Sequence, residues 1–143
     1  RSSGFPSVSE EPLMHPITRR ITAAPATTYE QGEPTQILSY EPGQEYKLHS
    51  DALAHDPNQR NLTFLVYLNE GFEGADTYFP DLGISFSGRP GDAILFVNVD
   101  EAGRPDPRAR HAGRPVQTGR KVLLSKWIRN ARLDLSGPPG RPF

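Results

Sequence analysis

The chain has 143 residues, with 16 Lys and Arg against 17 Asp and Glu, a formal net charge of −1. That length suits one domain, and the balance of charge excludes a histone-like or polybasic role. The absence of Cys excludes a disulfide framework, thiol catalysis and thiolate metal sites, and is compatible with a reducing cytoplasm, the expected location. Gly (13) and Pro (15) together are about a fifth of the chain, against a usual ~12%. The 35% of hydrophobic residues still suffices for one packed core. Many short strands are expected from this mixture, rather than a helical bundle. The longest apolar run, FLVYL at 64–68, is far short of the ~20 residues of a membrane-spanning helix. No secretory signal is visible, and a start at Arg1 rather than Met leads us to expect a fragment or processed chain.

In chain order, Ser9, Glu10, Glu11 and Pro12 read as a helix entry. Leu13, Ile17 and Ile21 then recur every four residues as an apolar stripe. Pro16 is tolerated only in the first turn, and Pro25 marks the stop. After Pro34 the pattern becomes that of strands. TQILSY runs into a Pro42-Gly43 turn, EYKLHSD follows, and a polar loop spans 52–60. NLTFLVYLN is the strongest strand signal. EGFEG turns into DTYFP, DLG into ISFS, and RPGD into AILFVNVD. A loop rich in Arg, Pro and Asp leads to HAGRPV, a QTG turn and KVLLSKWIR. About eight strands at this spacing predict a sandwich, barrel or jelly roll. The domain is expected over residues 1–131, with a Pro/Gly-rich tail at 132–143. Charge is uneven along it: residues 1–100 carry 6 basic and 14 acidic residues, residues 101–143 carry 10 and 3. Mutual neutralisation in one fold is the plain reading, and a basic rim that steers an anion is the sharper one.

Chemistry begins at His49-Ser50-Asp51. In a strand, residues i and i+2 point to the same face, so one imidazole nitrogen and one carboxylate oxygen can meet one ion. Alone, the same spacing also describes a surface hydrogen-bonded pair. His111, far along the chain, adds a second imidazole. Two His and one carboxylate form the ligand set of non-haem Fe(II) oxygenases, and other divalent ions suit it too. His15 and His55 are expected to be solvated. In KVLLSKW, Lys121, Leu123, Ser125 and Trp127 share one strand face. Lys121 either faces solvent or faces inward, where it needs a partner such as a bound dicarboxylate. The arginines at 104, 108, 110 and 114 are expected to form a solvated loop, not a nucleic-acid surface. Gly-Pro-Pro-Gly at 137–140 looks like a collagen fragment and is expected to be a flexible turn.

YEPGQEYKLHSD, NLTFLVYLNEGFEGADTYFP, GDAILFVNVD and HAGRPVQTGRKVLLSKWIR resemble, in this order, the catalytic core of the prolyl 4-hydroxylase family. The resemblance covers about residues 35–130. It implies a double-stranded β-helix, or jelly roll, an all-β core here supported by the N-terminal helix. It implies Fe(II), 2-oxoglutarate and O2 as cofactor and cosubstrates, with ascorbate as an optional addition. His49, Asp51 and His111 match the iron ligands. Lys121, ten positions after His111, matches the residue that pairs with the distal carboxylate of 2-oxoglutarate, and Thr77 and Tyr40 match its neighbours. Related nucleic-acid demethylases and oxygen-sensing prolyl hydroxylases typically carry Arg at the Lys121 position. Trp127 and Arg60 match positions near the peptide site. The implied activity is hydroxylation of a C–H bond, foremost C4 of a proline in a peptide or protein. Free amino acids, small metabolites and a non-catalytic metal-binding module remain as alternatives. Neither a membrane nor a nucleic acid is an expected partner. Ala75 stands where the family usually has Gly, which puts the local backbone geometry in question. Family members normally carry more sequence ahead of the position of Arg1.

Overall fold

The computed structural model describes residues 2–4 and 14–133. In chain order these form β1 (Ser2–Gly4), α1 (Met14–Ala23), a 3-10 turn (Tyr29–Gln31), β2 (Gln36–Tyr40), β3 (Tyr46–His49), β4 (Arg60–Tyr67) and β5 (Glu73–Gly74). Then come β6 (Thr77–Phe79), β7 (Ile84–Phe86), β8 (Ala93–Val97), a second 3-10 turn (Pro107–Ala109), β9 (His111–Gly113), β10 (Val116–Thr118) and β11 (Lys121–Arg129). A five-stranded sheet has the order β1-β2-β11-β4-β8, a four-stranded sheet the order β3-β9-β6-β7, and β10 pairs with β5. All named strand pairs are antiparallel. The order of the strands is that of a jelly roll, as expected.

Burial follows position in the sheet. β4 alternates, with Thr63, Leu65 and Tyr67 buried and the residues between them half-buried. β8 is an edge strand and leaves Leu95 and Val97 exposed. β11 lies between β2 and β4 and is buried on both faces, its polar residues Lys121, Ser125, Lys126 and Arg129 included. Its register sets Lys121 opposite Tyr40, Leu123 opposite Tyr67 and Trp127 opposite Thr63. The turn entering β11 needs Gly119: at φ 78° a Cβ there would lie 2.2 Å from the Gly71 carbonyl oxygen.

Four expectations change. The expected helix entry at Ser9–Pro12 and Leu13 lie outside the described residues, and so does Gly-Pro-Pro-Gly at 137–140. Within α1, Ile17 is exposed, and the buried face is Thr18, Ile21 and Thr22, spaced i, i+3, i+4. Pro16 does fall in the first turn. Eleven strands are present among the described residues rather than about eight. HAGRPV is not one strand: it breaks at Arg114–Pro115, and the residues read as a QTG turn belong partly to β10. Segments of two or three residues, such as β5 and β10, are too short to show alternation. His15 is not simply solvated, since its ring stacks on Tyr29 at 5.3 Å. His55 is exposed, as expected.

The uneven charges pair off across the fold. Arg110 binds Asp81, Arg114 binds Asp76, Arg120 binds Glu41, and Arg129 binds Glu33 and Asp56. Arg104 and Arg108 take the local carboxylates Asp100 and Asp106. Each arginine near His111 thus has its own acidic partner, so the basic stretch is neutralised in place. Leu133 is buried, and its N–H donates to the Glu30 carbonyl, so the packed chain reaches that residue.

The fully buried Ile128 on β11 is a direct probe of this frame. Ile128→Ala should lower stability by about 2–5 kcal/mol, read as a lower urea midpoint with an unchanged slope.

Candidate active site

β3 and β9 are neighbours, and His49 and His111 are direct partners in their register. That pairing brings together two imidazoles sixty-two positions apart, with ring centroids 4.3 Å from each other. Asp51, just past the end of β3, completes the group. Its Oδ1 lies 3.2 Å from His49 Nε2 and its Oδ2 lies 3.7 Å from His111 Nε2. One ligating atom from each residue falls within 4.8 Å of the others. Nδ1 of His49 contacts the Lys47 carbonyl at 2.7 Å, and Nδ1 of His111 contacts the Ala109 carbonyl at 3.0 Å. A carbonyl only accepts, so each Nδ1 carries the proton and each Nε2 keeps its lone pair for the site. Burial holds the His111 imidazole below its usual pKa, against the pull of Asp51, and so favours the neutral, ligating form. For Asp51, burial alone would raise the pKa. The neighbouring imidazoles of His49 and His111 and the hydrogen bond from the Thr63 hydroxyl outweigh it and bring the carboxyl down to about 2.

A pocket runs from these three residues into the core. Leu38, Leu65 and Leu123 form apolar walls, and Tyr40, Thr77 and Lys121 also line it. Lys121 faces inward and is only 2% exposed, which excludes the solvent-facing reading. Its ammonium donates to the Ala75 carbonyl and lies 5.1 Å from the centroid of the Tyr67 ring. Among the described residues no carboxylate is in ion-pair contact with it. Burial lowers its pKa to about 8, with the charge of Asp76 opposing the shift. Ala75 sits at φ 58° and is buried, a conformation that favours Gly. Despite Ala in place of Gly, this left-handed turn aims the Ala75 carbonyl at Lys121.

Trp127 lines the pocket on the same strand face as Lys121, as the alternation predicted. It is 6% exposed, and its Nε1–H has no partner among the described residues. Arg60 does not line the pocket itself. Its guanidinium stacks over the Trp127 ring at 4.1 Å and is held by Glu33 through Nε at 2.6 Å and Nη2 at 2.8 Å. Two tyrosines escaped the sequence reading. Tyr67 is fully buried, and its hydroxyl meets Thr77 Oγ1 at 2.9 Å and donates to the Phe86 carbonyl. Tyr46 stacks on the His49 ring at 3.8 Å. The available signal for Tyr67 was its place on the inward face of β4, where Thr63 and Tyr67 are polar groups among apolar neighbours.

The model of the 2OG-Fe(II) oxygenase superfamily matches residues 35–129. The chain belongs to that superfamily. Its similarity runs to the prolyl 4-hydroxylases within it, the family that the sequence resembled. Prolyl 4-hydroxylase 1 of Arabidopsis thaliana is 38% identical over 136 residues, a match that covers 82% of this chain and 48% of the relative. Prolyl 4-hydroxylase subunit alpha-2 of Gallus gallus is 28% identical, covering 92% of this chain and 26% of the relative. The chain therefore spans about half the length of the plant relative. Among solved structures, the viral collagen prolyl hydroxylase of Paramecium Bursaria Chlorella virus-1, in its 2OG complex, superposes with a TM-score of 0.75 at 27% identity. That match covers 92% of this chain and 79% of the viral one.

The residues present fit the superfamily's cofactors. Two imidazole nitrogens and a carboxylate, without sulfur, suit Fe(II). The deep ammonium without a carboxylate partner suits a dicarboxylate. A ligand carboxylate requires Lys121 protonated, while the free amine loses its proton near pH 8. 2-Oxoglutarate affinity should therefore hold below pH 8 and fall above it, by up to roughly tenfold per unit. Calorimetry at pH 8.5 in buffers of different ionisation enthalpy should record proton uptake on binding.

Proposed function

We propose that the chain is an Fe(II)- and 2-oxoglutarate-dependent dioxygenase that hydroxylates C4 of a prolyl residue in a peptide or protein. The observation that carries this reading is the joining of the His49–Asp51–His111 group to the buried, carboxylate-free Lys121 by one apolar pocket. The plant and viral relatives named above, prolyl hydroxylases by name, support it. When bound, iron and 2-oxoglutarate supply the oxidising power that puts one atom of O2 into a substrate C–H bond, with release of succinate and CO2.

The chain's own residues bind and orient. His49, Asp51 and His111 would hold the metal at the end of the pocket they line. Lys121 takes the distal carboxylate of 2-oxoglutarate, with Thr77 and Tyr40 beside it. Tyr67 fixes the Thr77 hydroxyl from behind. Leu38, Leu65 and Leu123 keep water from the reacting centre. Trp127, under the Arg60 guanidinium, offers an aromatic wall with a free N–H donor to the peptide. An extended proline-rich segment docks against such aromatic surfaces at low entropic cost.

The deciding experiment incubates the protein with Fe(II), 2-oxoglutarate and O2, with and without ascorbate, on proline-rich peptides and on free proline. Mass spectrometry should show a gain of one oxygen on the peptide, and NMR should place it at C4. Hydroxylation of free proline alone would move the substrate to small amino acids. No 2-oxoglutarate turnover at all would leave a metal-binding jelly roll without catalysis.

Two variants test the assigned roles. Lys121→Ala should keep the fold and weaken 2-oxoglutarate binding on the order of a hundredfold or more, since breaking a buried charge pair costs about 3–5 kcal/mol. Lys121→Arg should also fail, because the planar guanidinium is larger and differently shaped. Trp127→Phe keeps a ring beneath Arg60 and removes the N–H. Peptide product should fall while 2-oxoglutarate consumption continues, which is read by comparing succinate with hydroxylated peptide.

A further inference from the structure

We infer that Thr63 and Asn98 form a hydrogen-bond relay that sets the orientation of the Asp51 carboxylate for metal binding. The inference rests on the metal site proposed above and concerns how that site is held.

The three ligating residues are not supported alike. His49 and His111 lie on paired strands, and each ring is tied through Nδ1 to a carbonyl of its own segment. Asp51 lies beyond β3 in a bend, with no strand ladder to fix it. Its support comes from the other sheet. Thr63, on β4 and fully buried, donates from Oγ1 to Asp51 Oδ2 at 2.7 Å. Asn98, just past β8 and also fully buried, donates from Nδ2 to Thr63 Oγ1 at 2.8 Å.

Counting protons gives the relay its direction. An ionised carboxylate has none to offer, and a threonine hydroxyl has one, so the Thr63 hydrogen lies toward Asp51. Thr63 can then only accept from Asn98, and Asn98 must present its NH2 and not its carbonyl. The consequence is visible: Asn98 Oδ1 is buried and has no partner among the described residues. An unpaired buried acceptor is costly, and it occurs here on the residue that has to donate. The Asn98 backbone is fixed as well, since its N–H donates to the Asn61 carbonyl at 2.8 Å and its own carbonyl accepts from Asp106 N–H at 2.9 Å.

Without the relay the carboxylate faces the Nε2 lone pairs of His49 on one oxygen and His111 on the other, and neither can donate to it. With it, rotation is blocked and the group stays between the two imidazoles. The same strands also support His111, because Phe96, the register partner of Thr63 across β4 and β8, packs edge-on against that ring at 4.8 Å. Thr63 and Asn98 are thus positioning residues that act through Asp51.

The test uses Mn(II) binding by calorimetry, which needs no turnover. Thr63→Val removes the hydroxyl at nearly constant volume and should weaken Mn(II) binding about ten- to a hundredfold. Thr63→Ser should restore it. Asn98→Ala should weaken binding less, and the Thr63→Val/Asn98→Ala double variant should bind no worse than Thr63→Val alone, because both act through one hydroxyl. The visible spectrum of bound Co(II) should change in Thr63→Val and return in Thr63→Ser. Wild-type affinity in a folded Thr63→Val protein would overturn the relay, as would losses that multiply in the double variant. If Thr63→Val does not fold, Asn98→Ala decides, and unchanged Mn(II) affinity there overturns it. A wild-type protein that binds no Mn(II) would instead remove the metal site itself, and the relay with it.

Discussion

The pairing of β11 with β2 on one side and β4 on the other is the contact on which the rest depends. It buries one strand on both faces, and a strand so placed must be apolar or have every polar group matched. On the pocket face, the polar groups are those the site uses: the Lys121 ammonium donates to the Ala75 carbonyl, and the Trp127 N–H has no partner among the described residues. Lys121 enters the pocket floor opposite Tyr40, and Trp127 meets Thr63. Shifting this register by one residue would turn Lys121, Leu123, Ser125 and Trp127 to the opposite face and remove all four from the pocket lining.

The second sheet supplies the other half of the site by a different means. β3 and β9 are short, and their pairing sets His49 against His111. Each imidazole is then pinned by a local carbonyl, while Asp51 is pinned from across the fold. The site therefore joins the two sheets chemically as well as by packing. Disturbance of either sheet should reach the ligand group through Asp51.

Buried charge occurs both at the proposed site and outside it, and the buried or half-buried arginines outside it are paired. Glu33 collects Arg60 and Arg129, and Arg129 also reaches Asp56 and the Asn58 carbonyl, so that cluster is satisfied internally. Lys121 has only a neutral carbonyl, and burial lowers its pKa to about 8. A charged group kept in that condition is destabilising to the empty protein, and a bound carboxylate removes the deficit. Lys126, on the other face of β11, is also lowered to about 8 by burial but has Glu33 near enough to oppose the shift. It does not line the pocket, so a shifted pKa alone does not mark a functional lysine.

By itself, the sequence determined the class of fold and the chemistry of the site. Turn residues at short intervals marked out most strands, and the alternation in KVLLSKW placed Lys121 and Trp127 on one face, because side chains in a strand repeat every two residues. The H-x-D spacing paired His49 with Asp51, and the ligand set and the family resemblance added His111. Tertiary structure alone decided what depends on contacts between distant segments. Ile17 fell on the exposed side of α1 because only packing selects which apolar residues face the core. The two-residue β5 is a strand solely because β10 reaches it. For Tyr67, Thr63 and Asn98 the only local signal was a polar residue in an apolar run, because their hydrogen-bond partners lie ten or more positions away. Local sequence specifies the direction in which a side chain leaves the backbone, and only the assembled fold specifies what it meets there.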